Sequence, residues 1–230
     1  MRWFSHPCLP FVLAALFVAA STGCNAFQKN ATPPWKKKPD PLVANVITSK
    51  MRIEKMREVA KKASTLSPTD QEKETFELSQ VLRKGEDDPL VRAEILRTLA
   101  VFQTATATAA LNAGSADSDQ HVRIACCQAW GKRGGPDAVR KLSEIMSSDT
   151  DIDVRLAAAR ELGKLGDPAA VQALGTGLDS KDPAMQHRAV ESLRQVTKKD
   201  FGNNVNTWRD FVRGGQPPEE SFASRWLPWR

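Results

Sequence analysis

The sequence predicts an all-α fold, an α-solenoid of stacked antiparallel helix pairs, and three observations carry that prediction. The chain repeats itself: Val91-Arg92, Val122-Arg123 and Val154-Arg155 stand 31 and 32 residues apart, and Met185-Gln186 keeps the frame 31 residues further on. Within each unit small or apolar residues return at the first, fifth and ninth places, as Val91, Ile95 and Leu99 or Val154, Ala158 and Leu162. That spacing draws one stripe along a helix. No strand-like alternation of useful length occurs. A period near 32 marks helix pairs that bury their apolar faces only against neighbouring units.

The elements follow in order. A first helix is expected from about Val43 to Ser64, where Val43, Val46, Ile47, Met51, Met56, Val59, Ala60 and Ala63 recur at helical steps. Ser67-Pro68-Thr69-Asp70 then supplies an N-cap, a first-turn proline and an early acid, opening a helix through Phe76, Val81 and Leu82. The four repeat units each begin with an aspartate three or four residues before the valine position: Asp88, Asp119, Asp151 and Asp182. Trp130-Gly131-Lys132-Arg133-Gly134-Gly135-Pro136 aligns with Leu162-Gly163-Lys164-Leu165-Gly166-Asp167-Pro168 at an offset of 32. There glycine caps one helix and proline starts the next, whose apolar residues are Val139 and Leu142, or Val171 and Leu174. In the first unit Gln103 and Ala105 replace the second glycine and the proline, so a different turn is expected. Trp208, Phe211 and Val212 suit a closing helix, and the stack is expected over 42–213.

At 151–168 the unit reads Asp-x-x-Val-Arg-x-x-Ala-x-x-x-Leu-Gly-x-x-Gly-x-Pro and resembles HEAT-like repeats, which include those of phycobilisome lyases. The resemblance covers about 86–200 and is strongest at 119–178. It implies that Arg92, Arg123 and Arg155 stack with Asp88, Asp119, Asp151 and Asp182 as a structural charged ladder. It also implies that the helices starting at Val91, Val122, Val154 and Met185 line a concave side. Glu94, Arg97, Gln128, Arg160 and Glu191 would then point outward as a candidate interaction face.

The flanks point to location. Cys8–Ala20 is almost wholly apolar behind Arg2, too short for a comfortable membrane span of ~20 residues but suited to a signal-peptide core. Ser21-Thr22-Gly23-Cys24 resembles the lipobox of bacterial lipoproteins, with Ser21 where leucine is usual. The resemblance implies cleavage of a 1–23 signal peptide and lipidation of Cys24. Cleavage after Ala20, which would release a soluble exported protein, and an uncleaved anchor are the alternatives. Residues 24–41, with four prolines around Trp35-Lys36-Lys37-Lys38, read as an extended tether; its lysines are either simply solvated or drawn to anionic headgroups. The tail, 214–230, carries Phe222, Trp226, Leu227 and Trp229, and either folds onto the last helices or docks to a partner or a membrane.

Charge narrows the function. The chain has a net charge of +6, a balance that invites nucleic acid as a partner. Residues 24–41 supply +3 of it, while 42–200 hold 24 basic and 23 acidic residues. A nearly neutral body offers no groove for phosphates. Tyrosine is absent and only three histidines occur, so no catalytic cluster, cofactor or small-molecule substrate is expected. Asp149-x-Asp151-x-Asp153 begins like a calcium loop, but Val154 and Arg160 stand where glycine and glutamate are required. Cys126 is expected in the core and Cys127 partly exposed. His121 and His187 occupy different places in their repeats, and no metal site is expected. The reading is a non-enzymatic scaffold for protein partners, lipid-anchored in a bacterial envelope membrane and facing the periplasm. A phycobilin-lyase-like or chaperone-type attachment factor is the alternative.

Overall fold

The computed structural model describes residues 47–86 and 88–215. The proposed signal peptide, Cys24, the tether, Val43, Val46 and the four apolar tail residues lie outside that range. Among the described residues there are ten α-helices and no strand: α1 (Ser49–Lys62), α2 (Pro68–Arg83), α3 (Pro89–Leu99), α4 (Ala105–Gly114), α5 (Gln120–Arg133), α6 (Gly135–Ser148), α7 (Ile152–Leu165), α8 (Ala170–Leu178), α9 (Pro183–Thr197) and α10 (Val205–Val212). Helices α1, α3, α5, α7 and α9 stack side by side in one row. In a second row α2 lies against α4, α6 against α8, and α8 against α10. The expected α-solenoid is the observed architecture.

The periodic stripe forms the core between the rows. Val91, Ile95, Leu99, Val122, Cys126, Trp130, Val154, Ala158, Leu162, Ala189 and Leu193 are fully enclosed, and Met185 nearly so. Burying one such aliphatic side chain stabilises by ~1.5–3 kcal/mol. Helix starts follow the sequence signals. Asp88, Asp119, Asp151 and Asp182 cap α3, α5, α7 and α9, each accepting a backbone N–H at 2.8–2.9 Å. Ser67 caps α2, with Pro68 at its first turn. Gly166 ends α7 in the left-handed region, φ 65°, which costs a glycine little.

Three expectations change at the N-terminal end. Helix α1 stops at Lys62 and tightens into a 3-10 turn over Ala63–Thr65. The stripe residues Ile47, just before α1, and Met51, within it, are 69% and 52% exposed; among the described residues α1 has one row neighbour, α3. In α2 the buried residues are Thr75, Leu78 and Ser79, whereas Phe76 and Val81 face outward; among the described residues this helix likewise has one row neighbour, α4. The turn without glycine and proline is held from the next unit. Thr104 caps α4, and Arg133 of α5 donates to the carbonyls of Phe102 and Thr104 and to Thr108 Oγ1.

Small residues set how closely the first row stacks. A Cβ on Gly131 would lie 2.7 Å from Glu161 Oε2, and one on Gly163 would lie 2.8 Å from Ser192 Cβ. At that second seam Ser192 Oγ donates to the carbonyl of Ala159 at 2.9 Å. At the far end Trp208 of α10 is fully buried and packs edge-on against Phe201, the closing helix the aromatic cluster predicted.

Candidate interaction face

Two of the three expected ladder arginines, Arg92 and Arg123, form ion pairs, and their acceptors are not the aspartates expected. Arg92 of α3 makes a bidentate pair with Asp117, both contacts 2.9 Å. Its third nitrogen donates to the carbonyl of Glu86. Arg123 of α5 repeats the arrangement with Asp149 at 2.8 and 3.1 Å and with the carbonyl of Asp117. Asp88, Asp119, Asp151 and Asp182 are occupied as caps and accept no ladder hydrogen bond from these arginines. The acceptors sit two residues before the caps, where Asp117 Oδ1 and Asp149 Oδ1 also receive the backbone N–H of Asp119 and Asp151. The signal was in the sequence as a doubled aspartate, Asp117-x-Asp119 and Asp149-x-Asp151, in the repeat frame.

These pairs are largely sheltered, with side-chain exposures of 15% and 15%, and 14% and 8%. Burial pushes the Asp117 carboxyl up, but hydrogen bonds from Arg92 and the Asp119 N–H, with the charges of Arg92 and Arg123, more than reverse this and hold it below its ordinary 3.8. Asp117 and Asp149 in turn raise Arg92 and Arg123. The third rung differs: Ser180 stands in the acceptor place, its hydroxyl receiving the Asp182 N–H at 3.1 Å. Arg155 keeps its Nε buried without a hydrogen-bond partner. Gln186 donates to the Ser180 carbonyl at 2.7 Å, standing in for an arginine.

The residues expected to point outward divide. Arg97 is exposed, and Gln128, Arg160 and Glu191 are partly so. Glu94 is a correction: it is only 7% exposed, because α1 stacks on α3 and brings Arg57 over it. Arg57 Nε lies 3.0 Å from Glu94 Oε1, and Arg97 lies 3.6 Å from Oε2. Glu161, 4% exposed, is covered in the same way by Lys164 at 2.8 Å and Arg160 at 3.4 Å. At both seams the carboxylate lies beneath and the cation faces out. The Glu94 carboxylate raises the Arg57 guanidinium above its ordinary value through a hydrogen bond and direct attraction. Sequence reasoning missed Arg57 and Lys164, because burial of a glutamate between stacked helices has no periodic signature.

The other candidate residues have structural employment. Asp149 holds Arg123, Asp151 caps α7, and Asp153 accepts from Gln120 at 3.3 Å, so the acidic triplet serves three separate contacts. Cys127 is fully buried rather than partly exposed, because α7 packs over it, and burial pushes its thiol up to about 12. Cys126 is raised too, for the same reason. A thiol so shifted forms little of the reactive thiolate. Among the described residues no group of three or more His, Cys, Asp or Glu side chains is placed to hold a metal ion, and no helix is long and apolar enough to cross a membrane.

A family model described as HEAT repeats matches residues 77–151 and again 139–203, together more than half of the chain. No curated protein matches it.

Proposed function

Because the chain belongs to the HEAT-repeat family, we propose that it is a non-enzymatic scaffold that holds an acidic segment of a protein partner, tethered to a bacterial envelope membrane through a lipid on Cys24. The observation that carries the reading is the layering of charge on the first row of helices. Arg57, Arg97, Arg160 and Lys164 stand over Glu94 and Glu161, whose side chains are 10% and 6% exposed. Over these two carboxylates an approaching partner meets the cations first, although the body as a whole is nearly neutral. Complementary charge of this kind steers encounter and selects partners more than it adds raw affinity.

Crosslinking and pull-down from native membranes tests both halves. Arg97→Glu with Arg160→Glu should remove the captured partner while leaving the circular dichroism spectrum unchanged, since Arg57 and Lys164 still cover the two glutamates. Cys24→Ala should move the chain from the membrane fraction to the soluble fraction. Retention of every partner by the double reversal abandons the face, and retention of the Cys24 variant on the membrane abandons the lipid tether.

A further inference from the structure

Helices α2 and α4 run side by side in the second row, on the opposite side of the stack from the cationic face. The start of α4 is joined to the N-terminal half of α2, where Thr104 Oγ1 donates to Thr75 Oγ1 at 3.0 Å and Thr106 to Glu72. From there toward their C-terminal ends they border a cleft of about 510 Å³, within the ~300–1,000 Å³ usual for small-molecule sites. Its cause is the sequence of α4. Ala109, Ala110 and Ala113 offer only methyl groups to the cleft, so nothing on α4 fills the space opposite Phe76 and Leu82. Gly114 lets α4 settle onto α3, since a Cβ there would lie 2.7 Å from Leu96 Cδ2. Leu96 thereby becomes the floor.

The shape is a trough. Phe76 to Arg83 on one wall and Thr106 to Gly114 on the other give it a length of about 10–12 Å at ~1.5 Å per residue. Arg92 and Asp117 stand at one end of it, and Arg83 reaches back along the α2 wall. Arg92 and Asp117 neutralise each other through their bidentate pair. Arg83 is left over: its NH2 is 3.5 Å from Ser79 Oγ and its guanidinium lies over the Phe76 ring at 5.8 Å. No carboxylate among the described residues forms an ion pair with it. The carbonyl ends of α2 and α4 disfavour an anion, so anion binding in the trough depends on Arg83, whose guanidinium turns back from the end of α2 toward Phe76.

We infer that this trough binds a linear amphiphile with a single carboxylate, a medium-chain acyl carboxylate, with its chain along α4 and its head on Arg83. The floor of methyl and leucine groups suits an unbranched alkyl chain, and Arg83, the lining cation without an ion pair among the described residues, suits one negative charge. This binding is separate from the partner face, which belongs to the other row of helices.

The test is photolabelling of the full chain in nanodiscs with an octanoate carrying a diazirine at the end of its chain. Mapping by mass spectrometry should place the label on α2 and α4, and unlabelled octanoate should compete while octanol does not. Arg83→Ala should lower the labelling about tenfold, as the loss of one charge-assisted contact predicts. Ala109→Leu with Ala113→Leu, at two exposed helix positions, should fill the trough and abolish labelling without lowering the Tm. Equal competition by octanol, labelling unchanged in Arg83→Ala, or label spread over the other helices would each overturn the assignment.

Discussion

The seams α3–α5 and α5–α7 are built alike, and α7–α9 is not. In the first two an arginine on one helix grips an aspartate in the loop that leads into the next, and that aspartate also fixes the loop. At α7–α9 the arginine is present, but Ser180 replaces the aspartate and Arg155 Nε is left buried and unbonded. Gly163 lies under Ser192 here much as Gly131 lies under Glu161 at α5–α7, and what this seam adds is a hydrogen bond from Ser192 Oγ to the Ala159 carbonyl. One repeat geometry is thus secured in two ways: by a sheltered ion pair, or by a side-chain-to-backbone hydrogen bond.

That contrast is open to a direct break. Arg123→Ala leaves Asp149, whose side chain is 8% exposed, as an uncompensated charge, a loss of about 3–5 kcal/mol. Arg155→Ala removes a guanidinium that forms no ion pair among the described residues and whose Nε is unbonded, and the expected change is within about 0.5 kcal/mol. Urea unfolding of the two variants, followed by circular dichroism, separates them. Equal losses would mean that Arg155 carries a rung after all.

How far the sequence reached explains why this difference went unseen there. The stripe of Val91, Ile95 and Leu99 and its repeats was legible because burial between two rows imposes the same demand on every unit. Ser67, Pro68 and Gly166 were legible because caps are local. The ladder was only half legible: the arginines recur in frame, but each acceptor lies 25 or 26 residues on, and the nearer aspartates look equally suitable until the caps claim them. Glu94 was misread because a glutamate on a helix is ordinarily solvated, and only the stacking of α1 brings Arg57 over it. The trough beside α4 left no periodic trace, since it arises from missing side-chain volume.

Acid should distinguish the seams as well. Asp117 is held below its ordinary 3.8 in the folded chain, so its contribution to stability is fully present above that value and is lost as pH falls below 3.8 through its folded value. Protonation weakens hydrogen bonds that, to a charged group, contribute about 1.5–3 kcal/mol in all. Amide exchange measured below pH 3.8 should therefore show protection at the start of α5 fading before that at the start of α9, where the acceptor is the hydroxyl of Ser180. Asp117→Asn should remove this pH dependence at α5. Fading at both seams together would place the acid sensitivity outside the ladder.

The smallest expected effect sharpens the comparison from the other side. Ser180→Asp restores the carboxylate in the place that Asp117 and Asp149 occupy, and the new side chain keeps an oxygen for the Asp182 N–H that Ser180 now accepts. If the third seam lacks only this group, Arg155 turns onto it and the chain gains about 1 kcal/mol, the net of a charge-assisted pair against the ordering of two side chains. The gain must come from the pair and not from the helix terminus, where a new acid beside the start of α9 is favourable by itself. A double-mutant cycle with Arg155→Met separates the two. A gain that vanishes in the Met background belongs to the rung, whereas a gain that persists belongs to the dipole of α9, and the third seam is then complete as packing alone has made it.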